Sequence, residues 1–208
     1  MKKKMKIIIS IFLSTITALL LILWAVSFYT TNANKIEQTE EIYQMGQTVE
    51  IGNNFFIDKA EQPNGYSICV NSVELVNYAE MYINNGSEID TEMFGDYPMP
   101  DDVYLLNITV TNKGNTDGVL FVMNYALYNG ALKLTVDYVL WGLMDKNYNN
   151  EYYLKLVPDS SADVTIPFIP MPDDLATDKD EVNNRIKNES FLFEICDYPV
   201  RKFIEVHL

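Results

Sequence analysis

The sequence predicts an all-β domain, folded as an antiparallel β-sandwich, that follows one N-terminal apolar helix. Two observations predict this class. An uncharged, apolar stretch near the N-terminus is long enough to cross a membrane as a helix. From Val49 onward, short apolar runs alternate with turn residues at spacings of about 8–15 residues, a pattern typical of sandwiches.

Residues 7–29 are the predicted transmembrane signal-anchor helix, and they follow a basic cytoplasmic tail of residues 1–6 with four lysines. At about 1.5 Å per residue, the span extends about 34 Å, enough for a hydrocarbon core of about 30 Å. Its hydroxyl side chains are expected to bond back to helix carbonyls. Because lysine-rich flanks stay in the cytoplasm, we expect residues 30–208 outside the cell.

A cleaved secretory signal is the alternative interpretation of the same stretch. The apolar region of a signal peptide is usually about 7–15 residues long, and this one is longer. Small residues at positions 31–33 nevertheless offer a cleavage site after Ala33, which would release a secreted domain. The prediction is a single-pass membrane protein with an extracellular C-terminal domain, and cleavage stays open.

Residues 30–45 are polar without apolar periodicity, so we expect a linker there and the β-sandwich domain over residues 46–208. The clearest strand is 103–112, where Tyr104, Leu106, Ile108 and Val110 share one face. Before it, the parity of the apolar positions slips between Val70 and Val73, which predicts a β-bulge.

Four further stretches give specific expectations. Residues 118–128 predict a strand buried on both faces, and the strand beginning at Leu132 is expected to run on through Trp141. Pro167 lies within an apolar run, which predicts an edge strand or a strand end. A short helix is predicted from Leu175, with Val182 and Ile186 on one face.

Charge and composition limit the function. The chain has 15 basic and 29 acidic residues, for a net charge of −14. Four of the basic residues precede the span and every acidic residue follows it, so 11 basic against 29 acidic residues leave the outer part at −18. Such a domain is repelled by polyanions, which argues against nucleic acid as a partner. With one histidine and two cysteines, a zinc site of the usual kind is not expected.

The two cysteines, Cys69 and Cys196, are the candidate disulfide, because an exported domain allows oxidation. Both lie in predicted strands at opposite ends of the domain sequence. They can pair only if those strands are neighbours, so a disulfide and two separate thiols remain alternatives.

Other chemistry-bearing residues form weaker patterns. Acidic residues cluster in 173–181, but without the spacing of a calcium-binding EF-hand, so solvated acids are the better interpretation. The single histidine, His207, is expected on an exposed strand position, which disfavours a nucleophile–histidine mechanism. No glycine-rich phosphate loop is present. An aromatic cluster is suggested by Tyr148, Tyr152, Tyr153 and Trp141.

Five stretches carry a family resemblance: GQTVEIGNNFFI, NGYSICVNSVELVNY, DVYLLNITVTNKGN, LVPDSSADVTIPF and RKFIEVHL. Together they span most of residues 46–208. The pattern resembles uncharacterised families of bacterial extracellular immunoglobulin-like domains, found on anchored or lipoprotein-type surface proteins of low-GC Gram-positive bacteria. The resemblance implies an immunoglobulin-like β-sandwich at the outer cell surface, without cofactors and without assigned catalytic, cofactor-binding or metal-binding residues.

We therefore expect a non-enzymatic binding or interaction module, held to the membrane by its N-terminal helix, with an unidentified protein or glycan partner. Two alternatives remain at this stage. One is an accessory subunit of an envelope complex, and the other is a carboxylate-based hydrolase, which needs two acidic side chains in one cleft.

Overall fold

The computed structural model describes residues 2–33, 38–57, 59–89, 94–144 and 152–208. The chain divides into an N-terminal helical unit, Met1–Glu37, and a second unit, Gln38–Leu208, which we call the β-domain.

The N-terminal unit is one helix, α1 (Lys2–Ala33), four residues longer at its C-terminal end than the predicted span. Its segment Ile7–Ala33 is long and apolar enough to cross a membrane, and the described apolar side chains on it are exposed. A signal sequence meets the same criteria. As predicted, hydroxyls bond back to the helix: Thr15 Oγ1 donates to the Ile11 carbonyl (2.9 Å), and Thr17 Oγ1 to the Leu13 carbonyl (3.0 Å).

The β-domain contains three helices and eleven strands in its described residues. The helices are α2 (Tyr78–Asn84), α3 (Tyr138–Met144) and α4 (Pro172–Asn188). The strands are β1 (Thr39–Gln44), β2 (Thr48–Glu50), β3 (Tyr66–Asn77), β4 (Asp102–Asn112), β5 (Leu120–Phe121), β6 (Ala126–Asn129), β7 (Leu132–Val136), β8 (Tyr153–Leu154), β9 (Ser160–Pro170), β10 (Phe191–Cys196) and β11 (Val200–Val206).

Nine of these strands form one sheet, in the order β1-β11-β10-β6-β7-β9-β4-β3-β2, and β5 pairs with β8 separately. Neighbours are antiparallel except β1 and β11, which run parallel. The two edge strands, β1 and β2, are consecutive in the chain. The connection between them is also bonded to β3, which lies at the opposite end of the strand order from β1, because the Gly46 amide donates to the Val70 carbonyl on β3 (2.9 Å). The segment 39–50 therefore nearly closes the sheet into a barrel.

The β-domain is mostly β-sheet, as predicted, but it also contains three helices among its described residues, and the arrangement of its strands differs from the expectation. An immunoglobulin-like sandwich has two packed sheets. Here nine of the strands form one nearly closed, barrel-like sheet that is not clearly immunoglobulin-like. The predicted bulge contributes to the curvature of this sheet, since the register of β3 against β4 shifts between Val70 and Ser72.

The inside of the sheet holds the main core. The four predicted positions of β4, Tyr104, Leu106, Ile108 and Val110, are all buried there. The short helix predicted from Leu175 is present as α4, which begins earlier, at Pro172, and has a kink at Asp178; it adds Leu175, Val182 and Ile186 to the same core. A smaller cluster covers the outer face at the start of β4, where Val103 and Leu105 pack with Tyr78, Tyr82 and Leu140 of α2 and α3.

Three expectations differ from the structure for local reasons. Strand β1 lies within the segment predicted to be a linker. The sequence did not indicate this strand, because only Glu41 and Tyr43 of its side chains are half-buried and no apolar periodicity results. The strand predicted at 118–128 is interrupted by a 3-10 turn at Val122–Asn124, and it is not buried on both faces, because Phe121 is 40% exposed. The chain after β7 turns into α3, because Asp137 Oδ1 accepts from the amides of Val139 (2.9 Å) and Leu140 (3.0 Å).

The prediction that Pro167 marks an edge strand or a strand end is wrong, since β9 lies between β7 and β4 and continues to Pro170. The Pro167 carbonyl accepts from the Asp137 amide (2.9 Å), one residue past the end of β7. Because the N and C=O of one strand residue point to the same side, the Pro167 nitrogen faces the place where β7 has ended. The missing N–H therefore costs no bond to β7.

Stability of the β-domain should fall steeply in alkali. Burial raises the pKa of five core tyrosines, Tyr66, Tyr78, Tyr82, Tyr104 and Tyr125, and that of Tyr82 to about 12. In the unfolded chain tyrosine ionises near pH 10, whereas the buried tyrosines of the folded domain stay protonated to higher pH. The free energy of unfolding therefore has its full value below about pH 10 and falls as the pH rises above it. Each such group contributes a slope of up to about 1.4 kcal/mol per pH unit. Urea unfolding at about pH 8 and about pH 11 measures this, and equal stabilities at the two values would contradict it.

Candidate functional site

Three turns meet at the end of the β-domain where β3 begins and β4 ends. Tyr66 of β3 pairs with Asn112 of β4, and Glu50 of β2 pairs with Ser67 of β3. Antiparallel pairing therefore places the turn after β2, the turn before β3 and the turn after β4 at one end. They enclose an open cavity of about 610 Å³, which we call the loop-end cavity. The lining residues used below are Asn53, Phe55, Lys59, Gln62, Asn64 and Asp117.

Asn115 holds two of these turns together. Its Nδ2 donates to the carbonyls of Gln62 (2.7 Å) and Asn64 (2.5 Å), across the gap between the turns. Its Oδ1 accepts from the amides of Asp117 (2.9 Å) and Gly118 (2.6 Å) within its own turn. One side chain thus satisfies four backbone groups, which fixes the turns without any strand between them.

Asn112 anchors this hub to the barrel. The fully buried Asn112 side chain donates to the carbonyls of Asn115 and Leu156 (2.8 Å each), and its Oδ1 accepts from the Asn115 amide (2.8 Å). Breaking such a buried amide network would leave several polar groups unsatisfied in the interior. The wall of the cavity is therefore continuous with the core.

Two glycines allow the turns to approach so closely. Gly65 has φ +97°, and a Cβ there would lie 2.8 Å from the Lys113 carbonyl oxygen. At Gly118, a Cβ would overlap the Gln62 carbonyl, with the carbonyl carbon 2.8 Å away, and would lie 2.6 Å from the side-chain Nδ2 of Asn115. Any larger residue at these positions would push the turns apart.

Phe55 follows the turn after β2 and lines the cavity from there. It forms an isolated bridge with Tyr198, with Phe55 N donating to Tyr198 O (2.8 Å) and Tyr198 N donating to Phe55 O (2.9 Å). The two rings lie 5.5 Å apart between centroids. Below it, the buried Glu61 carboxylate accepts from the amides of Phe56 (3.1 Å) and Ile57 (2.8 Å). The half-buried Phe55 is thus held in place before any ligand arrives.

The exposed lining is rich in amides. Among the described residues, the side chains of Asn53, Gln62 and Asn64 are exposed and make no hydrogen bond within the protein. Each presents two donors and an acceptor to the cavity. The charged side chains of the described lining are Lys59 and Asp117, which carry opposite charges. In its described residues the cavity therefore offers hydrogen-bonding groups next to one aromatic ring, with one positive and one negative side chain.

The cysteines named as a candidate disulfide are free thiols in the structure. Cys69 lies half-buried on β3 and Cys196 lies buried at the end of β10, and these strands are not neighbours in the sheet. Burial raises the pKa of Cys196 to about 12, so its thiol stays protonated at neutral pH. Neither residue lines the loop-end cavity.

The other candidates lie apart from the cavity. His207 is exposed after β11, and the acidic cluster lies on α4, where Asp178 Oδ1 accepts from the Glu181 amide (3.0 Å). Tyr148 lies outside the described residues, whereas Trp141 is buried and Tyr152 is exposed. In the part of the chain that the structure describes, no group of three His, Cys, Asp or Glu side chains is placed to hold a metal ion.

The fold and cavity define the chain as a mostly β domain with a preformed, amide-lined recess, preceded by an apolar helix. The family model described as Domain of unknown function (DUF5028) matches residues 40–202, and the chain belongs to this family. No curated protein matches the chain. One similar solved structure is an uncharacterized beta-sandwich protein from Clostridium difficile 630, at 11% sequence identity and a TM-score of 0.39, covering 84% of this chain and 99% of that one.

The sequence indicated the turns of this site but not their meeting. Residues 52–54, 63–65 and 113–115 each read as turns from their Asn and Gly content. Knowing that they share one end requires the pairing of β2, β3 and β4 in sequence order as an antiparallel meander. Recognising this meander in the sequence could have located the site.

Proposed function

We propose that this protein is a membrane-anchored binding module at the bacterial cell surface, with α1 in the membrane and the β-domain outside the cell. The observation that carries the binding role is the loop-end cavity, which is open, preformed and built from turns fixed to the core. Cavities of a few hundred Å³ with a few convergent polar groups are the usual form of small-ligand sites. The sequence resemblance to extracellular domains supports the bacterial surface location.

The orientation is supported by the distribution of charge. Lysines precede the span, and the net charge of the part that follows is −18, from 11 basic and 29 acidic residues. Positive flanks favour the cytoplasmic side. The described apolar side chains of α1 are all exposed, as lipid-facing side chains are.

A non-enzymatic role is supported by the lining of the cavity. Its described residues include one carboxylate, Asp117, whereas carboxylate-based hydrolysis uses two. Neither His207 nor a cysteine lies there. What the lining provides is hydrogen bonding and one aromatic surface, which suits binding.

Protease added to intact cells tests the location. We expect the β-domain of a C-terminally tagged chain to be degraded without permeabilisation, while a tag placed before residue 1 survives. A cytoplasmic protein serves as the control for cell integrity. Degradation of the β-domain only after permeabilisation would contradict the proposed orientation, and recovery of the domain in the medium would show cleavage after α1 instead of anchoring.

A further inference from the structure

We infer that the ligand of the loop-end cavity is an uncharged carbohydrate, bound as one or two sugar rings. This inference rests on the proposed binding function and names the chemical class of its ligand. It is carried by three features of the cavity together: unpaired amides, a fixed aromatic ring and balanced charge.

The amides match the hydroxyl groups of a sugar. A hydroxyl group both donates and accepts a hydrogen bond, and an Asn or Gln amide offers both functions from one side chain. Asn53, Gln62 and Asn64 are exposed around the cavity without partners among the described residues, so their hydrogen-bonding capacity is available. Asn53 comes from the turn after β2, and Gln62 and Asn64 come from the turn before β3, so they would reach hydroxyls on two sides of one ring.

Phe55 matches the apolar face of the same molecule. Sugar rings present axial C–H groups on one face. These C–H groups pack against the face of an aromatic ring, which carries partial negative charge. The backbone of Phe55 is fixed by its two hydrogen bonds with Tyr198, and the Tyr198 ring backs it. A ring held in advance loses little conformational freedom when a ligand packs on it.

The charge balance favours an uncharged ligand. Lys59 and Asp117 contribute opposite charges to the lining, and the surrounding domain is strongly acidic. An anionic ligand would meet the repulsion of this domain, and the described lining offers it one lysine, Lys59, as an offset. A peptide is less well matched, because the described lining offers no exposed strand edge for its backbone.

The volume sets the size of the ligand. About 610 Å³ is within the range of small-ligand pockets, and it is open to solvent, which leaves room for a chain to continue outward. We therefore expect one or two residues of a glycan inside the cavity and weak, millimolar affinity for short fragments.

Saturation-transfer NMR on the full chain in nanodiscs tests the inference with three sets of probes. The first is a set of neutral disaccharides: cellobiose, maltose, lactose and diacetylchitobiose. The second is digalacturonate, and the third is trialanine. We expect at least one neutral disaccharide to bind with a Kd of about 0.1–10 mM and to be displaced by neither of the other probes.

Variants locate the binding. Phe55→Ala should weaken it at least about tenfold, and Asn53→Ala and Asn64→Ala about five- to tenfold each, since each removes about one hydrogen bond. The asparagine variants change exposed side chains and keep the test valid if Phe55→Ala unfolds. Tyr138→Ala on α3 and Asn71→Ala on β3 are the matched controls outside the cavity, and they should leave the Kd unchanged.

The other outcomes overturn specific parts. Saccharide binding that is insensitive to the three cavity variants would overturn the assignment of this cavity. Binding of digalacturonate in the cavity, without any neutral disaccharide, would overturn the claim that the ligand is uncharged. Binding of trialanine alone would overturn the carbohydrate class, and either result would leave the binding function standing. No response from any probe at about 10 mM would contradict both proposals.

Discussion

Gly118→Ala is expected to lower the free energy of unfolding of the β-domain by about 3–5 kcal/mol. The added methyl group would overlap the Gln62 backbone carbonyl and lie 2.6 Å from the side-chain Nδ2 of Asn115. Neither neighbour is the free end of a flexible side chain, because Asn115 is held by four hydrogen bonds. The turns would have to separate, which breaks the hub that forms the cavity wall. Urea unfolding of residues 38–208, followed by the fluorescence of Trp141, measures the change.

Gly114→Ala is the matched control in the neighbouring turn. Gly114 has φ +74°, but a Cβ there meets nothing within 4 Å, so only the backbone conformation is strained. We expect a loss of about 1 kcal/mol, from the left-handed conformation alone. Equal losses for the two variants would contradict the close approach of the turns as the cause.

Asp137→Ala is expected to cost about 3–5 kcal/mol and to loosen α3 from the sheet. The buried Asp137 carboxylate accepts the Tyr78 hydroxyl through Oδ2 (2.6 Å) and caps α3 through Oδ1. Its removal leaves two amides without their acceptor and leaves the buried Tyr78 hydroxyl with only the longer bond to the Tyr82 hydroxyl (3.2 Å). Because Trp141 lies in α3, a red shift of its emission in the folded state should accompany the loss of stability.

Asp137→Asn separates the two roles of this residue. The amide oxygen can still cap α3, and the Tyr78 hydroxyl can turn to accept from the amide nitrogen. We expect a loss of about 1–2 kcal/mol, due mainly to the weaker hydrogen bonds of an uncharged group. A cost as large as that of Asp137→Ala would show that the charge, rather than the cap, holds α3 in place.

Much of the β-domain could be predicted from periodicity. The β4 alternation at Tyr104, Leu106, Ile108 and Val110 gave the correct inner face, because one side of that strand is buried along its whole length. The parity slip near Val70 correctly predicted a bulge. Local chemistry was harder to detect where a single residue decides the outcome, as Asp137 does when it ends β7 and begins α3.

The closure of the sheet could not be predicted in this way. It depends on β1, whose polar side chains give no apolar signal and whose partners on β11 are about 160 residues away in the chain. The loop-end cavity has the same origin, because Asn115 joins carbonyls at Gln62 and Asn64, about 50 residues earlier. Pairwise contacts of that separation leave no periodic pattern in a single sequence.

The most direct test of the preformed cavity is hydrogen–deuterium exchange of the unliganded chain, resolved at single amides. The amides of Lys113, Gly118 and Val119 donate to Gly65 O (2.8 Å), Asn115 Oδ1 (2.6 Å) and Glu61 O (3.1 Å), so they should exchange at least about a hundredfold more slowly than an unstructured chain. Exchange of these three amides at the unprotected rate, while the β4 amides stay protected, would show that the turns are not fixed and would contradict a binding site formed in advance.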